Sequence, residues 1–273
     1  MNHDLKLEGT VGQWRQLAGV LFAGVLLFLS DPSLEAQRRV QRLSGQNVAP
    51  VYDGYEVNPD GTYSMWFGYF NRNHEEALEI PIGPDNRFEP GPADRGQPTH
   101  FVPQWQKSSF RVVVPKDFGQ QKITWRLTAK GRTETVVAAL DPRSIIDRQQ
   151  TTLEGTVGLN RAPAVTIEPA TKTVARRTAA SITVAATDDG LPVNTRTTKP
   201  EGLTVRWRKY RGPQGGTITF APATALLQDG KSATTATFSE PGEYVIQGVV
   251  DDGSLLAGTY CCWVSREVRV TVK

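Results

Sequence analysis

Few residues in this chain could carry chemistry, and they fall in clusters. Asp188-Asp189-Gly190 and Asp251-Asp252-Gly253 repeat one pattern at two places. Carboxylates are hard oxygen donors. Four of them at one pole would suit Ca²⁺, with carbonyl oxygens and water completing the shell. The same tripeptide is good turn chemistry, because Asp bonds its own backbone and Gly accepts positive φ. Cys261 and Cys262 are the only cysteines. Strand neighbours point to opposite faces, so parity with Val268, Val270 and Val272 turns Cys262 inward and Cys261 outward. That reading makes one a buried thiol and the other a bystander. The alternative is a bridge, either a strained and reducible one between the two or a link to another chain outside the cell. His74 and His100 are the imidazoles available to a hydrolase, since His3 lies in the N-terminal segment. A triad would need one of them beside a serine and a carboxylate. Glu75, Glu76, Asp85 and Asp94 are the acids that a paired mechanism could use. The chain has no Gly-x-Ser-x-Gly elbow, no HExxH and no phosphate-binding Gly loop. These acids and imidazoles therefore read better as surface loop than as a reaction centre.

Two further groups could bind. Trp66, Phe70 and Trp105 could form a platform for a sugar or a peptide, or could pack in a core or between domains. Arg206-Trp207-Arg208-Lys209-Tyr210-Arg211 interleaves basic and aromatic residues and could hold a polyanion. Alternation instead puts Val205 and Trp207 inside and Arg206 and Arg208 on a solvated face.

The elements that must position these residues are strands. Tyr52–Val57 precedes Asn58-Pro59-Asp60-Gly61, a strong turn, and then Thr62–Asn71. That second run places Tyr63, Phe67 and Tyr69 on one face and Trp66 and Phe70 on the other. Residues 83–100, rich in Pro and Gly, are expected to form a long irregular loop. Ser109–Val114, Lys122–Ala129 (Ile123, Trp125 and Leu127 inward) and Thr133–Leu140 complete a first β-sandwich over 51–141. A polar linker spans 142–163. Seven short strands at 164–168, 181–187, 203–209, 217–220, 233–238, 243–250 and 260–272 predict a Greek-key sandwich over 164–273. The string LEGTVG occurs at Leu7–Gly12 and at Leu153–Gly158 without wider similarity, so it marks no repeat. The fold expected is all-β: two immunoglobulin-like β-sandwich domains after an N-terminal signal helix.

The N-terminus differs from the rest. Lys6 and Arg15 precede the apolar run Leu17–Leu29, which Ser30-Asp31-Pro32 ends. The run falls short of the ~20 residues of a membrane span. Residues 1–36 therefore read as a secretory signal peptide, with a membrane anchor over 17–30 as the alternative, and 37–50 as a polar lead segment. The chain as a whole is of ordinary globular composition: 38% hydrophobic and 22% charged residues with a net charge of +3 argue against a disordered or acidic tail. Without a concentrated basic face, that charge gives no reason to expect nucleic acid.

Residues 163–273 resemble PKD-like, immunoglobulin-like modules of exported bacterial proteins. Ala186–Pro192 (ATDDGLP), Leu203–Trp207 (LTVRW), Thr237–Tyr244 (TFSEPGEY) and Asp251-Asp252-Gly253 carry the likeness. It implies a sandwich used for adhesion, spacing or ligand presentation, with no particular ligand. Gly248 departs from the pattern, standing where a large apolar residue is expected. The segment Ser254–Trp263 departs as well. Residues 51–141 are similar to a domain of uncharacterised exported bacterial proteins, through NPDGTYSMWFGYFNRN, IPIGPDN, DRGQPTHF and VPKDFG. That likeness implies location and no activity. The expected function is an exported, non-enzymatic binding or scaffold protein of the envelope or extracellular space, with a protein or glycan partner. The alternatives are a carbohydrate-binding protein using Trp66, Phe70 and Trp105, and a hydrolase using His74 or His100.

Overall fold

In-out alternation, interrupted at two bulges, builds the first half of the molecule. The computed structural model describes residues 42–146, 160–190, 202–253 and 262–273. The expected signal segment, most of the linker and Cys261 lie outside these residues. Strands β1 (Val48–Val57), β2 (Tyr63–Asn71) and β6 (Gln104–Val114) form an antiparallel sheet in the order β1-β2-β6. The turn before β2 closes with a bond from the Asn58 N–H to the Thr62 carbonyl, 2.8 Å, and Gly61 supplies its positive φ of 83°. Met65, Phe67 and Tyr69 of β2 are buried, whereas Trp66 and Phe70 lie on the outer face, half-buried.

A second sheet, in the order β4-β7-β8, is made of β4 (Asn86–Glu89), β7 (Ile123–Ala129) and β8 (Arg132–Ala138). Phe67, Phe88, Phe101 and Phe110 surround the fully buried Trp125. Phe88 stacks on that indole at 5.7 Å, and Phe110 meets it edge-on at 5.0 Å. Each such ring removes ~200 Å² from water, a gross ~5 kcal/mol before ordering costs.

The expected irregular loop over 83–100 is only partly irregular. It contains β4, and its last residue opens β5 (His100–Phe101), which pairs with β3 (Leu78–Glu79). The buried Asn86 and Phe88 supply the reason. The Asn86 amide donates to the carbonyls of Ile80 (2.9 Å) and Pro98 (2.8 Å), and its oxygen accepts from the Trp125 indole N–H at 3.1 Å. Tertiary hydrogen bonds thus hold a strand that local composition does not announce.

The second half has two larger sheets. One runs β13-β15-β11-β9, from Ile218–Ala221 (β13), Lys231–Phe238 (β15), Ala180–Thr187 (β11) and Ala164–Glu168 (β9). The other runs β10-β17-β16-β12-β14, from Thr171–Val174 (β10), Trp263–Val272 (β17), Gly242–Asp251 (β16), Thr204–Arg211 (β12) and Thr224–Leu226 (β14). The chain begins in one sheet at β9, crosses over, and runs parallel to the last strand at β10. Trp207, on the interior strand β12, fills the core, and the Tyr244 hydroxyl donates back to the Glu240 carbonyl at 2.8 Å. Strand order, buried tryptophan and tyrosine corner together make this an immunoglobulin-like sandwich. The edge strands β10 and β14 were not anticipated. Both are short, and their alternation is weak.

Gly248 now has a physical account. It pairs with Trp207 across β12 and β16. A Cβ there would lie 2.8 Å from the Trp207 ring and 2.8 Å from Ile167 Cδ1. The indole takes the space that a larger residue at 248 would fill.

Candidate functional site

The basic stretch of β12 is where the two sandwiches meet. Residues Arg42–Lys273 form one compact unit. The expected alternation holds for Val205 and Trp207, which are buried, and for Arg206, which is exposed, whereas Arg208 is half-buried. A bulge between Lys209 and Arg211 breaks the alternation, so that both Lys209 and Tyr210 are buried. The Lys209 ammonium donates to Glu79 Oε1 (2.7 Å) and to the carbonyls of Pro213 (3.0 Å) and Gly216 (2.6 Å). Tyr210 packs into the aromatic core of the first sandwich and donates its hydroxyl to the Gly96 carbonyl, 2.6 Å. Arg211 grips Asp94 with two bonds of 2.9 and 2.7 Å, and these hold the Asp94 carboxyl below its ordinary range. Arg208 donates to Gln106, Ser109 and Gln247, tying β6 to β12 and β16.

Beside this joint lies a groove of about 230 Å³. One wall is the start of β6, where Trp105 is 47% exposed. The floor is the outer face of β12, β14, β16 and β17, with Arg206, Arg208, Thr224, Asp251 and Trp263. The register explains the clustering: Thr204 stands opposite Asp251, Arg206 opposite Thr224 and Val249, and Asp251 opposite Trp263. Clefts between domains that combine an aromatic face with a few fixed polar groups are the usual form of ligand sites. Behind the β6 wall, Asp53 sits in a bulge of β1, above Gly68 of β2. It accepts from the Ser108 N–H at 2.7 Å, and burial pushes its carboxyl up to about 6.

The expected aromatic platform is divided. Phe70 and Trp105 pair across β2 and β6, with ring centres 5.4 Å apart. Trp66 lies further along the face, donates its indole N–H to Glu56, and has the Arg111 guanidinium 5.9 Å from its ring centre. Of the three, Trp105 alone lines the groove. Trp263 and Thr224 on its floor were missed, and Arg206 and Arg208 were singled out only as part of a basic stretch, because the convergence of all four with Trp105 depends on how the sandwiches dock. The outward alternation of Arg206 and Arg208 was the one available signal.

The acidic pairs act on each other through their charges. Burial and then the charge of Asp252 raise the Asp188 carboxyl above its ordinary value. Asp189 accepts from the Arg161 N–H (2.8 Å), Asp251 from the Gly253 N–H (3.0 Å), and Asp252 from the Asn160 amide (3.1 Å). Among the described residues, no three His, Cys, Asp or Glu side chains are grouped to hold a metal ion. Cys262 is fully buried and disulfide-bonded, which displaces the reading of a buried free thiol; Cys261 lies outside the described residues. His74 is exposed. His100 Nδ1 lies 2.7 Å from Glu79 Oε1, the oxygen that also accepts from Lys209. Burial works to raise the Glu79 carboxyl, but the bonds from His100 and Lys209 outweigh it and leave it lowered. This imidazole–carboxylate pair is thus part of the joint.

No protein-family model matches the chain. Among solved structures, it is similar to a conjugative transposon lipoprotein from Bacteroides eggerthii, at 15% identity over 39% of this chain and 95% of that one, with a TM-score of 0.27. The S-layer protein SbsC, domains 4 and 5, matches at 12% identity over 56% of this chain and 65% of its own, with a TM-score of 0.25. The adhesin InvE of Yersinia pseudotuberculosis matches at 10% identity over 84% of this chain and 60% of its own, with a TM-score of 0.27. Likeness at this level carries no argument about activity. The fold assignment rests on strand order and core. Among the described residues, no helix is long and apolar enough to cross a membrane.

Proposed function

We propose that this chain is an exported, non-enzymatic binding or scaffold protein, and that the groove between its sandwiches is the surface that meets the ligand. The observation that carries this reading is the convergence of an exposed indole with two guanidiniums in a cleft whose walls a hydrogen-bonded joint holds in place. Fixed walls lower the ordering cost of binding. The partner is a macromolecule of the envelope or extracellular space. The closer likeness of the second sandwich to PKD-like modules belongs to this reading and draws on the Thr237–Tyr244 corner. So does export through residues 1–36, whose cleavage N-terminal sequencing of the recovered protein would test. The function itself is tested by cosedimentation of the purified protein with isolated envelope material. Trp105→Ala and the groove-filling Ser265→Trp should each lower the bound fraction while leaving the melting temperature nearly unchanged. Undiminished binding in both variants would place the ligand surface elsewhere.

Calcium binding is a second reading, favoured by the charge of Asp252 acting on the Asp188 carboxyl. A cation between them would relieve their repulsion. Saturable calcium binding that raises the melting temperature, and is lost in Asp188→Asn, supports it. An unchanged melt would reduce both Asp-Asp-Gly sequences to turns.

A further inference from the structure

We infer that the groove recognises an acidic sugar, a pyranose ring bearing a uronate-type carboxylate. This rests on the groove being the ligand surface, as proposed above. Arg206 and Arg208 project from the same face of β12 into it. Among the described residues, neither guanidinium has a carboxylate in ion-pair contact. The bonds of Arg208 go to Gln106, Ser109 and Gln247, all neutral. They fix its orientation and leave its charge uncompensated in a half-buried setting. Such a cation gains from an anion placed against it, and its rotamer is already ordered, which lowers the cost of binding. A carboxylate presents two coplanar oxygens that match the guanidinium fork of Arg206, while Arg208, with four of its five N–H groups already donated, adds its charge and one remaining N–H.

The remaining lining distinguishes a sugar from a simple anion. Trp105 offers an exposed indole face, against which the C–H face of a pyranose ring can stack. Thr204, Thr224 and Ser265 contribute hydroxyls that both donate and accept, as ring hydroxyls require. Asp251, 7% exposed on the floor, accepts from the Gly253 N–H at 3.0 Å and sets a carboxylate there. Its negative charge directs the ligand's carboxylate towards the arginines. The volume of about 230 Å³ suits a unit as small as one sugar ring. An acidic peptide would satisfy the arginines but leave the indole without a stacking partner.

Calorimetric titration of the full chain with three probes tests this: oligogalacturonate, its methyl-esterified neutral form, and oligoglutamate. Oligogalacturonate should bind saturably and less tightly as salt rises. Its affinity should fall about tenfold or more in Trp105→Ala and in Arg206→Gln. Both residues are exposed, so melting temperatures should hold. The ester should bind several-fold more weakly. Equal binding of acid and ester would overturn recognition of the carboxylate. Oligoglutamate binding as tightly, and indifferently to Trp105→Ala, would overturn the sugar. Binding of none of the three would overturn the proposal. Envelope cosedimentation that still depended on Trp105 would then leave the groove as ligand surface with a different ligand.

Discussion

Asp53 shows how one residue ties stability to pH. Its carboxyl is raised by burial to about 6, against an ordinary value of 3.8. The folded protein therefore holds this proton more tightly than the unfolded chain does. The resulting stabilisation is complete below about pH 4 and is lost as pH rises through about 6. Two units correspond to roughly 3 kcal/mol at 1.36 kcal/mol per unit. Asp53→Asn keeps an oxygen to accept from the Ser108 N–H and cannot ionise. Thermal melts from pH 4 to 8 should show the variant matching the wild type in acid and exceeding it above pH 7. A constant gap across that range would refute the assignment. A second residue-scale case is Tyr244. Removing its hydroxyl in Tyr244→Phe loses the bond to the Glu240 carbonyl and should cost about 1 kcal/mol in denaturant unfolding.

At the scale of elements, facing strands are matched in size as well as in register. Gly248 of β16 lies against the Trp207 ring of β12 and the tip of Ile167 in β9. Gly248→Ala should destabilise by about 1–3 kcal/mol through overpacking. Ile167→Val removes the methyl at one of the two close contacts, so the double variant should recover part of that loss. Additive costs in chemical denaturation would mean that the indole, and not Ile167, governs the space. The bulges follow the same logic. Those in β1 and β6 flank Gly68, whose Cβ would lie 2.4 Å from the Gln106 carbonyl oxygen and 2.8 Å from Asp53 Oδ2. They bend the β6 strand that carries Trp105 and Ser108 to the groove.

For the whole molecule, the decisive feature is the joint. Lys209 is a buried cation from the second sandwich, held by a carboxylate and carbonyls, and its carboxylate partner belongs to the first. Lys209→Met leaves Glu79 in a half-buried site with His100 alone. It should cost roughly 3–5 kcal/mol, because breaking one side of a buried pair leaves an uncompensated charge. Adding Glu79→Gln should restore much of it. If the double variant is as unstable as the single, the loss arises from packing instead. A loosened joint should also weaken whatever binds the groove, since Arg208 and Gln106 are held by the same docking.

Alternation and turn chemistry were legible in the chain itself. The Asn58–Gly61 turn, the inward Ile123, Trp125 and Leu127, and β9 at Ala164–Glu168 all follow from local residue order. Hydrophobic period and turn preference act over a few residues, so sequence reading reaches them. The short strand β4 escaped it, because the buried bonds of Asn86 come from Ile80, Pro98 and Trp125. Arg208 and Lys209 escaped it too. A bulge and a partner domain decide whether a basic residue meets water or a neighbour. The sequence by itself therefore determined the longer strands and, where no bulge intervenes, the faces they bury, since those are local properties. Only the tertiary structure decided that Trp105, Arg206 and Arg208 line one groove, because that depends on packing between strands distant along the chain.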